Sequence, residues 1–339
     1  MEINMFNHVV FFVLIISLIL FIPYYISAEQ SEKSDKSENA EEKVAALING
    51  KKILLSTLEK EMQAAIASNP QLQTNADEAT KKMIKEQILN SLVEQELLIQ
   101  AGKNAGFTPE TSEIDAELAN MKAKFPSEDI YQQILKQEKL TEKELKNQIE
   151  ERLIAGEFVE KEIRPKAKSV TDEEVSKFYE ENKEKFVEPE KVKASHILVK
   201  VEPNADEKQK ADAKKKIEDI LKKVKKGEDF AELAKENSDC DSAEKGGDLG
   251  YFAQGQMLGP FSKAAFNLEP GKISDIVETQ YGYHIIKVAD KKAERKVEFD
   301  EVKEKIKKYL TEKEVMNAMD NWFKSAKEKA DISIMLEGK

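Results

Sequence analysis

The chain has 339 residues, 35% of them charged and 40% hydrophobic, with 54 basic against 65 acidic side chains for a net charge of -11. That length exceeds one compact core and implies two or three domains, while the acidic balance argues against a nucleic-acid binder held by phosphate neutralisation. One Cys and three His exclude an intramolecular disulfide framework and a multi-cysteine zinc cluster, and leave little conventional catalytic material.

Residues 9–22, VVFFVLIISLILFI, form an apolar run broken only by Ser17, followed by Pro23 and the small pair Ser27-Ala28. This is the pattern of a secretory signal cleaved after Ala28. The preceding MEINMFNH carries no Lys or Arg, and residues 9–26 reach the lower limit for spanning a bilayer, so an uncleaved membrane anchor is the competing reading. Either way the bulk of the chain is expected to be exported, to a periplasm or to the outer face of the cytoplasmic membrane. No Cys lies near Ala28, which argues against a lipid anchor. Residues 29–43, EQSEKSDKSENAEEK, lack large apolar side chains and read as a flexible polar linker.

Residues 44–187 read as mostly helical. A short strand is expected over Val44–Ile48, closed by the turn signal Asn49-Gly50. Ser56-Thr-Leu-Glu59 has the form of a capping box, so a helix is expected to begin there. A second helix follows over 78–101, where Met83, Ile84, Ile88, Leu92, Val93 and Leu97 recur at helical spacing, with Gly102 and Gly106 as stops. Further helices fit 112–125, 127–137 and 141–164; the last opens on the box Thr141-Glu-Lys-Glu144 and is stopped by Pro165. Thr171-Asp-Glu-Glu174 opens one more.

Residues 188–291 look different. Val192–Val199 alternates like a strand, 206–226 is a Lys-rich helix stopped by Gly227, and 230–237 is a shorter helix. A loop with Gly246-Gly247, a run Leu249–Phe252, a small helix near 263–267, a turn at 269–272 and a closing strand over 283–288 complete an α+β domain. Residues 292–339 resume the helical pattern, with Phe299, Val302, Ile306, Met319, Trp322 and Phe323 on one stripe, and end in a strand-like stretch from Asp331. That strand and the one at Val44–Ile48 each need a backbone partner. They are expected to pair, so that the first and last segments form one domain with the middle domain inserted.

Beyond His8 in the export segment, His196, His284 and Cys240 all fall in the middle domain. Three chemistries use such a set. A thiol protease needs a thiolate paired with an oriented His, a zinc site needs three ligands and an open position, and a polar hydrogen-bonded floor beneath an apolar pocket needs neither. Spacing argues against zinc, since all three residues lie far apart in the sequence.

Ala194-Ser-His-Ile-Leu-Val-Lys200, Phe230-Ala-Glu-Leu-Ala234, Ser238-Asp-Cys240, Gly246-Gly-Asp-Leu-Gly-Tyr-Phe252, Gly255-Gln-Met257, Pro260-Phe261, Ala265-Phe266, Pro270-Gly271 and Tyr281-Gly-Tyr-His-Ile-Ile286 occur in that order. The series resembles the parvulin family of peptidyl-prolyl cis/trans isomerases. The resemblance implies an α+β isomerase domain inserted in a mostly helical chaperone domain, and catalysis with no cofactor and no metal. It implies that His196 and His284 are the paired active-site histidines and that Cys240 takes the position of the family's active-site Cys or Asp. Leu249, Met257 and Phe261 correspond to the proline pocket, with Phe252 and Phe266 as further walls and Gln256 and Thr279 as hydrogen-bonding neighbours.

Phosphate-directed parvulins carry paired arginines after the first strand, whereas Val201-Glu-Pro-Asn-Ala-Asp-Glu207 is acidic and has no Arg. The expected substrates are therefore unmodified X-Pro bonds of unfolded or secreted polypeptides. The flanking helices, with Val44–Gly50, are similar to the chaperone domain of exported SurA-like and PrsA-like foldases. Extended Pro-containing polypeptides are the implied partners. The alternative function is a holdase whose middle domain binds peptide with little catalysis.

Overall fold

The structure is a computed structural model that describes residues 43–69, 77–138 and 140–335. The expected signal or anchor over 9–26 and the linker as far as residue 42 lie outside the described residues. Among the described residues no helix is long and apolar enough to cross a membrane.

The chain enters as a hairpin, β1 (Val44–Ile48) and β2 (Lys51–Leu54), paired antiparallel with Ile48 opposite Lys51. Asn49 (φ 50°) and Gly50 (φ 84°) supply the two left-handed residues that a tight hairpin turn requires. Helix α1 (Leu55–Ala67) starts directly off β2. The box expected at Ser56–Glu59 does not cap it: Leu54 is the N-cap, extended and without a side-chain bond, and Ser56 already lies inside the first turn. The Leu55 N–H is satisfied instead by the Lys43 carbonyl at 2.8 Å, so strand pairing sets the helix start.

Helix α2 (Glu78–Asn104) is capped by Asp77, whose carboxylate accepts from Thr80 N at 2.8 Å. Gly102, expected as a stop, is buried inside the helix. A Cβ there would lie 2.5 Å from Ile154 Cγ2 and 2.8 Å from its carbonyl oxygen, so Gly102 permits a close helix crossing, and Gly106 (φ 81°) follows the true end. Helices α3 (Thr111–Lys122) and α4 (Glu128–Gln137) lead to α5 (Glu142–Phe158). The Thr141 box forms in both directions, Glu144 N to Thr141 Oγ1 at 3.2 Å and Thr141 N to Glu144 Oε2 at 2.8 Å. A π-turn (Val159–Ile163) and a 3₁₀ turn carrying Pro165 close α5. Helix α6 (Asp172–Glu181) opens on the Thr171 box.

The middle segment runs β3 (Val187–Glu188), β4 (Lys191–Lys200), α7 (Glu207–Lys225), α8 (Phe230–Asn237), β5 (Asp248–Ala253), α9 (Gly259–Asn267), β6 (Val277–Thr279), β7 (Gly282–Lys292) and β8 (Arg295–Lys296). Helix α10 (Phe299–Lys329) and strand β9 (Ile332–Ile334) follow. β9 pairs antiparallel with β1, Ala46 opposite Ile334 and Ile48 opposite Ile332, which joins the two ends of the chain in one sheet of order β2-β1-β9.

By contacts, residues 176–304 form one compact unit, and 43–175 with 305–335 form the other. An α+β domain is therefore inserted in a mostly helical one. The helical unit is centred on buried Leu98, Ile99, Phe158, Ile163, Met319 and Phe323 from α2, α5 and α10. In the inserted unit the sheet order is β5-β4-β7-β6, antiparallel throughout, with helices on both faces. Successive strand residues point to opposite faces, so Ile197, Val199, Tyr283 and Ile285 pack under α7 and α8. Val192, Ala194, Ile286 and Val288 face α9 with Phe252 and Phe261.

Candidate functional site

His196 on β4 and His284 on β7 project from that second face of the sheet. In the antiparallel register His196 lies opposite Ile286 and Leu198 opposite His284, so the two histidines are diagonal neighbours. Their rings are nearly parallel, at 19° with centroids 5.5 Å apart, and the two Nδ1 atoms are 3.2 Å apart. His284 Nε2 is 2.8 Å from Thr279 Oγ1 on β6, and His196 Nε2 is 3.2 Å from Ser242 Oγ. The result is one hydrogen-bonded line, Thr279–His284–His196–Ser242.

Thr279 Oγ1 accepts from Tyr281 N at 3.1 Å and keeps one proton and a second lone pair for His284 Nε2, so the line runs from Thr279 to Ser242 or the reverse, according to the tautomers of the two rings. Both rings are uncharged in this arrangement. They are 6% and 4% exposed, and burial holds each pKa down to about 4, the neighbouring His196 adding to the effect on His284.

The edge of the Phe261 ring meets both histidines, at centroid distances of 5.6 Å to His196 and 5.4 Å to His284. Phe252 lies 6.1 Å from Phe261, and Phe266 lies 6.0 Å from Phe252. Leu249 and Met257 are partly buried against the same cluster. Pro260 begins α9, where its missing N–H is not needed, and so delivers Phe261 to the first turn above the histidines. The structure thus brings His196, His284, Thr279, Leu249, Phe252, Met257, Phe261 and Phe266 to one side of one sheet.

Two expected residues sit less directly. Gln256 is exposed, and its side-chain oxygen accepts from Ala253 N at 2.7 Å, closing the turn after β5. Cys240 is free and half-buried at the start of a 3₁₀ turn, Asp241–Lys245. That turn carries Ser242, two residues on, to the His196 ring; sequence spacing held no signal for this contact. Gly247 completes the loop. Its carbonyl accepts from His196 N at 3.0 Å, its φ is 80°, and a Cβ would lie 2.2 Å from the His196 carbonyl oxygen.

Comparison with known proteins gives the family of each segment. Residues 174–292 match the PpiC-type peptidyl-prolyl isomerase domain, and residues 3–159 match the SurA-like N-terminal domain. The class is therefore a parvulin-type peptidyl-prolyl cis/trans isomerase carried by a SurA-like helical domain. The foldase protein PrsA of Caldanaerobacter subterraneus is 38% identical over 287 residues, covering 82% of this chain and 82% of that protein. PrsA of Clostridium botulinum is 32% identical over 335 residues, covering 92% and 95%. The solved PrsA structure from Bacillus subtilis shares 30% identity over 88% of this chain and 96% of that one, with a TM-score of 0.27. The chain belongs to the PrsA foldase family and is a peptidyl-prolyl cis/trans isomerase.

Proposed function

We propose that the chain is an exported foldase that isomerises unmodified X-Pro bonds in unfolded or secreted polypeptides at the His196–His284 site. The observation that carries this reading is the uncharged histidine pair lying directly against Phe261 at the edge of an apolar cluster.

The planar X-Pro amide is held by resonance, with a rotational barrier of ~18–20 kcal/mol, and isomerises unaided over tens to hundreds of seconds. Resonance places partial positive charge on nitrogen and negative charge on oxygen, and water supports that separation. Phe261, Met257 and Leu249 would take the proline ring out of water, with Phe252 and Phe266 behind them, which favours the less polar twisted state. Neutral histidines below the pocket put no full charge beside the amide to pin the planar form. Gln256 would meet the substrate backbone from the rim. Cys240 is assigned a polar role and no covalent one, since rotation makes and breaks no bond.

The loop after β4 supports the substrate class. It carries Glu202, Asp206 and Glu207 without an arginine, and the Lys200 ammonium is held 2.9 Å from Glu202. A phosphate before proline would find no unpaired guanidinium there. The test is full-chain isomerase activity on peptides with leucine or phosphoserine before proline. Faster turnover of the leucine peptide is expected; preference for phosphoserine would overturn the reading. Export is assigned on residues 9–28 and is checked by N-terminal sequencing of protein from the host envelope; a chain found only in the cytoplasm would contradict it.

A further inference from the structure

A groove of about 300 Å³ lies in the helical unit between β2, α2 and α5. All four residues of β2, Lys51 to Leu54, line it. Side chains along a strand alternate between faces, so four consecutive residues line one groove only if the strand presents its edge. In the sheet order β2-β1-β9 that edge is open among the described residues. Ile48 and Lys51 close the two-residue turn and exchange backbone bonds, so the next residue, Lys52, turns its N–H and C=O outward, into the groove. Leu92 and Ile99, seven residues apart on one face of α2, form an apolar wall with Leu54.

The charges on the rim are unequal. On the helical side Arg152 is paired with Glu117, and Glu151 with Lys103 at 2.9 Å. On the strand side, Lys51 and Lys52 are exposed, and among the described residues neither side-chain ammonium has an ion-pair or hydrogen-bond partner. Lysines on an edge strand commonly serve only to repel other strands. Here they stand beside an apolar trough wide enough for side chains.

We propose that this groove binds a client segment in extended conformation as an added strand on β2, with apolar side chains against Leu92 and Ile99 and acidic side chains against Lys51 and Lys52. The proposal rests on the foldase reading, and names where and how a client is held away from the isomerase pocket. The mode is backbone pairing, so it selects for extended shape and charge rather than for one sequence.

The experiment uses the full chain and a fluorescein-labelled, proline-free peptide of alternating valine and glutamate, read by fluorescence anisotropy. Binding is expected to weaken roughly tenfold or more when alternate peptide nitrogens are methylated, a change that leaves the protein untouched. The K52P variant should weaken it similarly, because an outward N–H is lost while the β1–β2 ladder keeps its bonds. The charge reversal K51E/K52E should shift preference to a valine–lysine peptide, and isomerase activity on a short Leu-Pro peptide should not change. Binding unaffected by methylation and by both variants would overturn the groove while leaving the foldase reading intact. Binding of neither peptide would overturn it in favour of simple edge protection. Concentration-dependent dimerisation abolished by K52P would overturn it in favour of a second copy on the same edge.

Discussion

In the inserted unit two buried, uncharged histidines are joined in a line between half-buried Thr279 and Ser242, with an aromatic ring laid against them. The helical unit has the opposite arrangement. Its notable polar groups are ion pairs in contact with solvent, Arg164 with Glu160 and Glu312 and Lys103 with Glu151, and the Thr141 and Thr171 helix caps. The first arrangement suits chemistry that depends on excluding water from one bond. The second suits a surface that stays soluble while presenting an apolar trough and an open strand edge. Burial makes the histidines intolerant of small changes, because each ring nitrogen has one partner and little solvent to replace it.

The sharpest way to break the comparison is Gly247→Ala. The added Cβ would meet the His196 backbone carbonyl at 2.2 Å, at a φ of 80°. Loss of about 3 kcal/mol or more from the isomerase unit and loss of activity are expected, with the helical unit's melting unchanged. A variant that melts and turns over like the parent would contradict the close approach.

Acid should separate the units next. Folding lowers the pKa of His196 and His284 from 6.5 to about 4, so between these values the unfolded chain binds more protons than the folded one. The isomerase unit should therefore be most stable above pH 6.5 and lose stability as pH falls towards 4, by at most about 3 kcal/mol per ring. In the helical unit Glu174 is lowered from 4.5 to about 2 by Lys168 and Thr171. Its contribution is full above pH 4.5 and is lost only as pH falls towards 2. Thermal melts followed by amide signals from each unit at pH 7 and pH 5 check this; a helical unit that weakens first contradicts it.

Smaller effects follow. Ser242→Ala removes the hydroxyl that meets His196 Nε2 and should reduce kcat about tenfold with KM little changed, and Ser242→Thr should recover most of it. A fall in KM-dependent binding alone would show that the hydroxyl does not position the ring. Thr141→Ala should cost the helical unit about 1 kcal/mol in denaturant melts and leave isomerase rates unchanged. An unchanged melt would mean that the box does not cap α5.

Much of this architecture could be read from local pattern, because caps, helix stripes and strand alternation are set by neighbours in sequence. The Thr141 and Thr171 boxes formed, and the two lone terminal strands paired as their unmet backbone groups required. What escaped was decided by distant partners. Ser56-Thr-Leu-Glu59 has the same form as the boxes that formed, yet pairing of β2 and the Lys43 carbonyl fixed the helix start two residues earlier, with Leu54 as N-cap. Gly102 read as a stop because only Ile154, from another helix, reveals why a side chain cannot fit. The strands β2 and β6 are too short to show an alternation of their own. At the site, ordered motifs located the histidines, the aromatic wall and Thr279, but Ser242 meets His196 only because a 3₁₀ turn folds it back.

The central claim is that rotation occurs over an apolar pocket with an uncharged polar floor and without a nucleophile. Its most direct test is kcat/KM of the full chain on a Leu-Pro peptide for the parent, Phe261→Ala and Cys240→Asp. Loss of the ring should reduce activity by roughly a hundredfold, since it removes both the pocket wall and the cover over the histidines. The Asp variant should stay within about tenfold of the parent, because it keeps a polar group and loses only the thiol. An active Phe261→Ala beside an inactive Cys240→Asp would contradict the account.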